Sequence, residues 1–408
     1  MSEAPRQAVI LAGGRGLRMR PLTDTVPKHM LRLHGRPFLD YQLEMLREQG
    51  LERVLLLLGY RPEATMEYCD DGSRWGLRIG YRATEPERET SFRLAEALPA
   101  LDDTFLLLYC DNYWPLPMDR IWSSYCEAGQ PLAQMTVYEN SDGYSRSNVA
   151  VGADGTVVQY DRLRQSAGLN GVDIGYLLMR REAAGLLCPA GDLALEAALY
   201  PRLVAAGQLR AYLTGHRYYG VGSPERLELT EKFLRRRPAV ILDRDGVLNQ
   251  RPRPAEYITD WRQWQWLDGA LESLRWLHEA GYQVVVASNQ AGVARGIVSS
   301  DALLRLDRRM KEEAREAGGA IDASYYCPHG WDAGCQCRKP LPGLLLQAQR
   351  DLHLDLSRTW FIGDDACDQA AAKAAGCLYG SVSPGRGLRE LLARITNQSE
   401  DAACVNAY

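Results

Sequence analysis

The sequence predicts an α/β protein made of two Rossmann-like domains with mostly parallel sheets. Short apolar runs alternate along the chain with stretches of helical periodicity, and this alternation places helices on both faces of parallel sheets. Two of the runs, within residues 7–20 and 238–249, are followed at once by glycine and charged residues. Ligands of such folds bind at the carboxyl ends of the strands, so we expect a binding site at each segment.

The first half begins with the apolar run at Gln7 and continues as an alternation of helix and strand. Leu39, Leu43 and Leu46 fall on one face of a predicted helix, which Gly50 ends. Further apolar runs predict strands over 53–58, 104–109 and 132–138.

The second half repeats this alternation. Leu271, Leu274 and Leu277 form a helical stripe that Gly281 ends. Apolar runs predict strands over 239–242, 282–287, 323–326 and 359–362. The short intervals between these strands leave no room for a large inserted domain.

A charged segment separates the halves. Residues 231–238 read EKFLRRRP, and the proline disfavours helix before it. At roughly 150 residues per domain, the 408 residues suit a domain over 1–232, a linker over 233–238, a domain over 239–395 and a C-terminal tail over 396–408. The three arginines could attract phosphate, but a solvated linker is the interpretation we favour.

Composition excludes several classes of protein. The 48 Lys and Arg nearly balance the 52 Asp and Glu, for a net charge of −4, so nucleic acid is not an expected partner. The apolar runs are far shorter than the roughly 20 residues of a membrane-spanning helix, and the polar N-terminus does not follow the plan of a signal peptide. Ten cysteines in a chain of this length do not make a disulfide scaffold. We therefore expect a cytoplasmic protein that does not bind membranes.

Gly13, Gly14 and Gly16 directly follow the first apolar run, and Arg18 and Lys28 come after them. Glycines let the backbone approach a ligand and point N–H groups at phosphate oxygens, although such a turn alone is weak evidence. The whole segment, LAGGRGLRMRPLTDTVPK, resembles the opening signature of the sugar-1-phosphate nucleotidyltransferases, which have a GT-A-like fold. The resemblance extends over residues 7–230.

The resemblance implies that the glycine loop and Arg18 hold a nucleoside triphosphate, and that Lys28 contacts phosphate in the transition state. It also implies that Asp111 binds Mg²⁺; a plain turn residue is the alternative. In this reaction a sugar 1-phosphate oxygen attacks the α-phosphorus and pyrophosphate leaves. Catalysis is then mainly positioning and charge stabilisation.

The sequence departs from this family at two motifs. Asp173 and Gly175 stand in the sugar-pocket motif, where the family has Asn-Ala-Gly. Gly220 replaces the second metal-binding aspartate of a late motif. We expect the loss of this carboxylate to weaken Mg²⁺ binding unless another acid, such as Asp173, substitutes.

Four segments of the second half occur in a recognisable order. Asp243 and Asp245 follow its first strand, Ser288 and Lys339 come later, and Asp364 follows its last predicted strand. In this order they resemble the motifs of the haloacid dehalogenase superfamily, here without a cap domain, over residues 238–385.

The resemblance assigns a role to each of these residues. Asp243 would attack a phosphate monoester and form an aspartyl-phosphate, and Asp245 would act as general acid and base. Ser288 and Lys339 would bind the phosphoryl oxygens. Asp243, the backbone carbonyl of Asp245 and Asp364 would hold Mg²⁺, and Asp365 and Asp368 are further candidates.

A cysteine and histidine cluster lies just before Lys339. Cys327, His329, Cys335 and Cys337 supply three thiols and one imidazole within eleven residues, a set that matches tetrahedral structural Zn²⁺. An unligated cluster is the alternative. Because Cys337 is two residues before Lys339, zinc would anchor the backbone that positions this lysine.

The segments 243–249 and 288–296, the zinc loop and 338–340 resemble the heptose bisphosphate phosphatases in particular, and histidinol-phosphate phosphatases share much of this pattern. We expect Asn289, Arg295 and Arg338 to bind substrate, since guanidinium groups match phosphate oxygens. Each arginine could instead be an ordinary surface residue.

Together the two resemblances imply a bifunctional enzyme of nucleotide-sugar biosynthesis that makes GDP-heptose from heptose 1,7-bisphosphate. Sugar phosphates and a nucleoside triphosphate are the expected partners. GTP is the favoured nucleotide because enzymes with this transferase fold in heptose pathways typically use it. No residue of this sequence identifies the guanine base by itself. The alternatives are a transferase for another hexose 1-phosphate and a catalytically silent sugar-nucleotide-binding domain. Homo-oligomerisation is left open.

Overall fold

One large β-sheet organises each half of the chain. Contacts between residues divide the chain into two units, 1–235 and 236–408. The computed structural model describes residues 3–187, 192–383 and 386–395. The predicted tail over 396–408 lies outside the described residues.

The strands of the first unit form one large central sheet and several short two-stranded pairs. They are β1 Gln7–Ala12, β2 Arg32–Leu33, β3 Arg36–Pro37, β4 Arg53–Leu58, β5 Arg78–Ala83, β6 Thr104–Tyr109, β7 Asn112–Tyr113, β8 Ala133–Tyr138, β9 Val149–Val151, β10 Val157–Tyr160, β11 Val172–Arg180, β12 Leu209–Thr214 and β13 Tyr219–Gly220.

The large sheet of this unit has seven strands in the order β12-β8-β11-β6-β1-β4-β5. The central strand β1 pairs in parallel with β4 and β6, and all its residues are buried, as expected for a strand covered on both faces. Strand β11 is antiparallel to both β6 and β8. The chain returns from β8 to β11 through the β9–β10 hairpin instead of a crossover helix, and this route produces antiparallel pairing.

Helices of the first unit cover both faces of the sheet. They are α1 Phe38–Glu48, α2 Pro62–Cys69, α3 Thr90–Glu96, α4 Met118–Glu127, α5 Arg181–Gly185, α6 Leu195–Ala198, α7 Tyr200–Ala205 and α8 Pro224–Leu234. Successive residues of β1 point to opposite faces. Ile10 therefore packs with Leu43 of α1 in one cluster, while Val9 packs with Leu94 of α3 in another.

The second unit has a five-stranded parallel sheet in the order β16-β15-β14-β17-β18. Its strands are β14 Ala239–Leu242, β15 Gln283–Asn289, β16 Ala323–Cys327, β17 Trp360–Gly363 and β18 Leu378–Ser381, and its helices are α9 Ala270–Glu279, α10 Ser300–Glu316, α11 Gly343–Leu352 and α12 Ala366–Ala375. A further helix covers 388–395. Leu242 packs with α9 and α10, and Ile241 packs with α11 and α12.

The predicted fold class is confirmed, and most predicted strands lie within one or two residues of the observed ones. The main difference is β15, which runs to Asn289, so Ser288 lies within the strand end instead of after it. At the domain boundary, α8 continues to Leu234, and Phe233 and Leu234 are buried in the first core. The predicted linker thus begins inside this helix. In the described part of the chain, no helix combines the length and apolarity needed to span a bilayer.

Candidate active sites

The carboxyl ends of β14, β15 and β17 meet at one edge of the second sheet. Asp243 directly follows β14, and its amide donates to the Ile362 carbonyl of the neighbouring strand (2.9 Å). Gly246 lies so close to Asp364 that a Cβ there would come within 1.9 Å of Asp364 Oδ2, and its φ is +98°. Only glycine fits this position, and the two acidic loops therefore touch.

Lys339 lies between two carboxylates. Its Nζ is 2.9 Å from Asp243 Oδ1 and 2.6 Å from Asp368 Oδ1, and it donates to the Ala287 carbonyl at 2.9 Å. Burial alone would lower the pKa of Lys339, but the two carboxylates outweigh it and raise the pKa. The ammonium is therefore charged at neutral pH, next to the expected nucleophile.

Asn289 fixes the backbone of Lys339. Its side-chain amide donates to the Lys339 carbonyl and accepts from the Lys339 N–H, both at 3.0 Å. This reciprocal pair positions the Lys339 backbone, and Asn289 also lines the cavity described below. Ser288 is buried at the end of β15, where its hydroxyl accepts from Gln290 (3.2 Å).

Asp245 is held by its own neighbours. Arg244 donates to both carboxylate oxygens (3.1 and 2.7 Å), and Asn249 and Gln290 donate at 3.1 and 2.9 Å. Burial opposes ionisation of Asp245, but Arg244 and these hydrogen bonds outweigh it and hold its pKa below the usual range. Arg244 is itself 1% exposed. Its guanidinium lies 5.8 Å from the centre of the Trp264 ring.

An acidic group at this edge fits a divalent cation. Asp243, Asp364 and Asp368 each present a carboxylate oxygen, all within 4.8 Å of one another. Asp364 Oδ1 is buried without a hydrogen-bond partner, and burial raises the pKa of Asp364. Mg²⁺ prefers oxygen ligands of this kind. Arg251 borders the group and donates to Asp364 (3.1 Å) and Asp365 (2.5 Å).

A cavity of about 420 Å³ opens above these residues. Its lining includes Asp243, Ser288, Lys339, Arg251 and Arg338. Arg338 Nη1 is buried without a hydrogen-bond partner, so it is available to a ligand. Arg295 is not part of this lining but contacts two aromatic rings at the edge of the cavity.

Cys327, His329, Cys335 and Cys337 come together at the end of β16. Cys327 Sγ lies 3.7 Å from both His329 Nδ1 and Cys335 Sγ, and Cys337 Sγ lies 3.2 Å from His329 Nδ1 and 3.5 Å from Cys335 Sγ. These separations are too long for a disulfide. They are close to the roughly 3.7 Å edge of a tetrahedron with Zn–S bonds of about 2.3 Å. The donor set therefore fits zinc.

The predicted phosphate-binding residues of the first unit line one cavity of about 580 Å³. Its walls include the three loop glycines, Arg18, Lys28 and Asp111. Lys28 Nζ lies 2.5 Å from Asp111 Oδ2. A basic and an acidic side chain thus meet beside a loop of exposed backbone, an arrangement suited to a metal-bound polyphosphate.

Arg93 supports the glycine loop from below and was not predicted from the sequence. It is 3% exposed and donates to the carbonyls of Gly13 (3.4 Å), Glu85 (3.0 Å) and Pro86 (3.3 Å). A Cβ at Gly13 would lie 1.9 Å from Arg93 Nε. Gly13 must therefore be glycine because a guanidinium fills the space beneath it.

Asp173 and Gly175 lie on β11, at an irregularity in its pairing with β8. Asp173 Oδ1 accepts from the Gly175 N–H (2.8 Å), and Gly175 has a φ of +77° with its backbone against the Tyr109 ring. Burial raises the pKa of Asp173 to about 7. The negative charge of Glu196 adds to this shift in the pKa, whereas the Gly175 N–H and Arg164 oppose it.

Gly220 lies directly beside the Asp111 backbone. It pairs with Asn112 across β13 and β7, and a Cβ there would lie 2.7 Å from Asn112 Oδ1 and 2.9 Å from the Asp111 carbonyl. An aspartate would not fit without movement of this pair. Among the described residues, the groups of three or more close metal-ligating side chains lie in the second unit, so Asp173 does not join such a group at Asp111.

Comparisons with known proteins support the family resemblance that was predicted for each half of the chain. A family model described as nucleotidyl transferase matches residues 7–140, and one described as polynucleotide kinase 3 phosphatase matches residues 239–381. The D-glycero-beta-D-manno-heptose-1,7-bisphosphate 7-phosphatase of Pseudomonas aeruginosa is 41% identical over 155 residues, which cover 38% of this chain and 86% of that protein. The chain belongs to this phosphatase family.

Solved structures resemble each unit separately. A crystal structure of the D,D-heptose 1,7-bisphosphate phosphatase from Bordetella bronchiseptica, complexed with magnesium and phosphate, is 38% identical and covers 38% of this chain and 86% of its own, with a TM-score of 0.35. A putative glucose-1-phosphate thymidylyltransferase from Bacillus anthracis, in complex with sucrose, is 17% identical and covers 56% of this chain and 95% of its own, with a TM-score of 0.50. The second likeness concerns the fold alone. The protein is thus a hydrolase joined to a nucleotidyltransferase domain.

The phosphatase unit brings the predicted residues Asp243, Asp245, Ser288 and Lys339 to one cavity, and Asp364 lies close to Asp243 at the same edge of the sheet. Three further side chains around them were not assigned a binding or positioning role from the sequence: Arg244, Arg251 and Gln290. Asp368, predicted only as a further metal candidate, also holds Lys339. Its position four residues after Asp364, in the first turn of α12, is the signal that could have found it.

Proposed function

We propose that the phosphatase unit removes the 7-phosphate of D-glycero-D-manno-heptose 1,7-bisphosphate and that the nucleotidyltransferase unit activates the heptose 1-phosphate produced. The nucleotide donor is GTP in this proposal, and the product is GDP-heptose. One observation supports it most: the second unit, which contains the predicted catalytic residues, is 41% identical over 155 residues to a phosphatase named for this bisphosphate. We place the protein in the cytoplasm, where reduced cysteines are available to a metal.

Phosphate transfer to Asp243 is the first step of the phosphatase reaction. A carboxylate oxygen of Asp243 bonds to phosphorus, the bond between phosphorus and the C7 oxygen breaks, and Asp245 gives a proton to that oxygen. Water then attacks the aspartyl-phosphate, Asp245 takes its proton, and Asp243 and inorganic phosphate are released. Lys339 and Ser288 donate hydrogen bonds to the phosphoryl oxygens during both steps.

Asp245 must be protonated before it can act as the acid. Its contacts with Arg244, Asn249 and Gln290 favour the ionised form. A phosphate ester that enters beside Asp245 brings negative charge, which raises the pKa of the carboxyl group. We infer that substrate binding supplies this shift. Transfer of the proton to the leaving oxygen then leaves Asp245 ionised, and Arg244 stabilises this form for the second step.

Asp243 and Asp364 are the side chains that would hold Mg²⁺, with the Asp245 backbone carbonyl as a further ligand, and Asp368 would orient this group through its bonds to Lys339 and the Asp364 N–H. The ion would screen the repulsion between the Asp243 carboxylate and the phosphate. Lys339 contributes a fixed positive charge to the same task. The cluster formed by Cys327, His329, Cys335 and Cys337 would hold a structural Zn²⁺ that keeps the Lys339 backbone in place.

The zinc proposal is tested by elemental analysis. We expect about one zinc per chain, as a single four-ligand site implies, and Cys335→Ser should remove it and slow phosphate release. Full zinc occupancy in a variant with serine at all three cysteines would contradict the ligand assignment.

In the transferase reaction, an oxygen of the sugar 1-phosphate bonds to the α-phosphorus and the bond to the pyrophosphate oxygen breaks. The N–H groups of the glycine loop and Arg18 hold the triphosphate. Lys28 neutralises charge on the transferring phosphate, and Asp111 would hold Mg²⁺ against the phosphates.

A second candidate function follows from Gly220, since the Asp111 site has one acidic ligand fewer than the family pattern. In this reading, the first unit binds a sugar nucleotide without catalysis. Release of pyrophosphate with a panel of triphosphates and sugar 1-phosphates separates the candidates. We expect the highest rate with GTP and heptose 1-phosphate. A higher rate with a hexose 1-phosphate would show that the hexose, and not heptose, is the sugar substrate. No pyrophosphate release with any pair would favour the second candidate, a unit that binds a sugar nucleotide without catalysis.

A further inference from the structure

Trp331 lies in the zinc loop and borders the phosphatase cavity. We propose that Trp331, held by Arg295, forms a carbohydrate-binding platform that receives the non-reacting part of the substrate. This inference rests on the proposed function, since it takes the substrate to be a sugar phosphate. The platform would add a sugar-binding surface, and thus a determinant of substrate specificity, to the cavity that Asp243, Ser288 and Lys339 line.

The position of Trp331 is the first observation. Its side chain is 66% exposed, and it lines the same cavity as Asp243, Ser288 and Lys339. Exposure alone would explain nothing, because single apolar side chains are common on protein surfaces. What distinguishes Trp331 is that a large and mostly exposed aromatic ring lines the same cavity as the predicted catalytic residues.

The ring is also held in place. The Arg295 guanidinium lies 5.4 Å from the centre of the Trp331 ring and 5.8 Å from the centre of the Tyr257 ring, within the range of cation–π attraction. Tyr257 packs on the backbone of Gly292, where a Cβ would come within 2.7 Å of the Tyr257 Cγ. The Arg295 side chain therefore bridges two aromatic rings from different loops.

Main-chain hydrogen bonds join the same loops. The Ala294 N–H donates to the Pro328 carbonyl (3.1 Å), and the Gln290 N–H donates to the Cys327 carbonyl (2.7 Å). The segment after β15 is thus tied to the start of the zinc loop. Because both anchors lie within a few residues of Arg295 and Trp331, the platform is positioned before a ligand arrives, and this reduces the entropy cost of binding.

The chemistry of this wall fits a polyhydroxylated ligand. An aromatic face packs against the C–H groups of a sugar ring, and the guanidinium edge can donate to its hydroxyls. Arg338 Nη1, unpartnered in the same cavity, supplies a donor for an anionic group at the far end. A small phosphate ester without a ring reaches the catalytic group but gains nothing from Trp331.

The test compares kcat/KM for heptose 1,7-bisphosphate with kcat/KM for glycerol phosphate, and the ratio of the two is the preference. We expect Trp331→Leu to lower the preference about tenfold, equivalent to about 1.4 kcal/mol, mainly through a higher KM for the bisphosphate. Trp331→Phe keeps an aromatic face and should keep most of the preference. Arg295→Ala should lower it, and Arg295→Lys should restore only part of it because lysine has no planar group.

Trp276→Leu is the matched control, since Trp276 is also exposed (38%) but lies on α9, outside the cavity lining. It should leave the preference unchanged. Equal preferences in the Trp331→Leu and Trp331→Phe proteins, with zinc content and thermal unfolding as in the wild type, would overturn the platform. A wild-type protein with no preference for the bisphosphate would instead overturn the proposed function. If the Trp331→Leu protein loses its zinc, the Arg295→Ala and Arg295→Lys proteins are compared instead. Equal preferences for the bisphosphate in these two proteins would also overturn the platform.

Discussion

The ammonium nitrogen of Lys339 lies 2.6 Å from Oδ1 of Asp368, a carboxylate that is fully buried. The other oxygen of Asp368 accepts from the N–H groups of Asp364 and Asp365, both at 3.3 Å, in the capping box of α12. Burial and the nearby Asp243 raise the pKa of Asp368 to about 6, while Lys339 opposes this shift. One side chain thus ties the lysine to the acidic loop.

Asp368→Asn tests this connection. The amide can keep one hydrogen bond but removes a negative charge from both the lysine and the acidic group. We expect kcat for phosphate release to fall roughly 10- to 100-fold, the usual cost of losing a residue that orients a metal site, and the Mg²⁺ concentration for half-maximal activity to rise. Asp260→Asn, at an exposed position, is the control. An unchanged Mg²⁺ dependence would remove Asp368 from the site.

The strands were predictable because each depends on a local pattern, and the roles of Asp243, Asp245, Ser288 and Lys339 came from the resemblance of their motifs to a known superfamily. An apolar run predicts a buried strand, and the fold brings strand ends together, so Asp243, Ser288 and Asp364 could be placed on one edge. Arg244 and Arg251 could not be assigned, because their partners depend on where long side chains turn. Arg244 bends back to Asp245, whereas Arg251 crosses to Asp364, which is 113 residues away in the sequence.

Arg93 leads to a prediction for the nucleotidyltransferase unit. Arg93→Lys keeps the charge but loses the fork that reaches the carbonyls of Gly13, Glu85 and Pro86. The glycine loop should lose its support, and we expect KM for the triphosphate to rise roughly tenfold, as the loss of charge-assisted hydrogen bonds implies. Pyrophosphate release at varied GTP measures this. Arg78→Ala, at a side chain that is 75% exposed, is the control and should keep the wild-type KM for GTP. A wild-type KM in the Arg93→Lys protein would contradict the role of Arg93 as a support of the glycine loop.

Gly220 is the subject of a packing prediction. Because Asn112 Oδ1 and the Asp111 carbonyl occupy the space of a side chain, Gly220→Ala should lower the free energy of unfolding by about 1–3 kcal/mol, the cost of overpacking. Gly220→Asp should not raise pyrophosphate release. Gly185→Ala, where a Cβ meets open space, is the control for stability. A Gly220→Asp protein with wild-type stability and higher transferase activity would refute this account.

Asp173 predicts a pH dependence of stability. Its folded pKa of about 7 lies above the usual value near 3.9, so folding favours the protonated form. This contribution is complete below the unfolded pKa and is lost as pH rises through 7. Between pH 6 and 8 the wild type should lose about 1 kcal/mol relative to Asp173→Asn.

Unfolding of the full chain in denaturant at the two pH values measures this difference. The exposed Asp154 provides the control, since Asp154→Asn should give the same difference from wild type at both pH values. A constant difference between the wild type and Asp173→Asn would show that Asp173 titrates normally.

We propose that two independent active sites lie on one chain, and a paired assay measures this independence. Phosphate release from heptose 1,7-bisphosphate and pyrophosphate release from GTP with heptose 1-phosphate are measured on the same preparations of wild type, Asp243→Asn and Lys28→Ala. We expect Asp243→Asn to abolish phosphate release and to leave pyrophosphate release near the wild-type rate, and we expect Lys28→Ala to do the reverse. Loss of both reactions in either folded variant would contradict it.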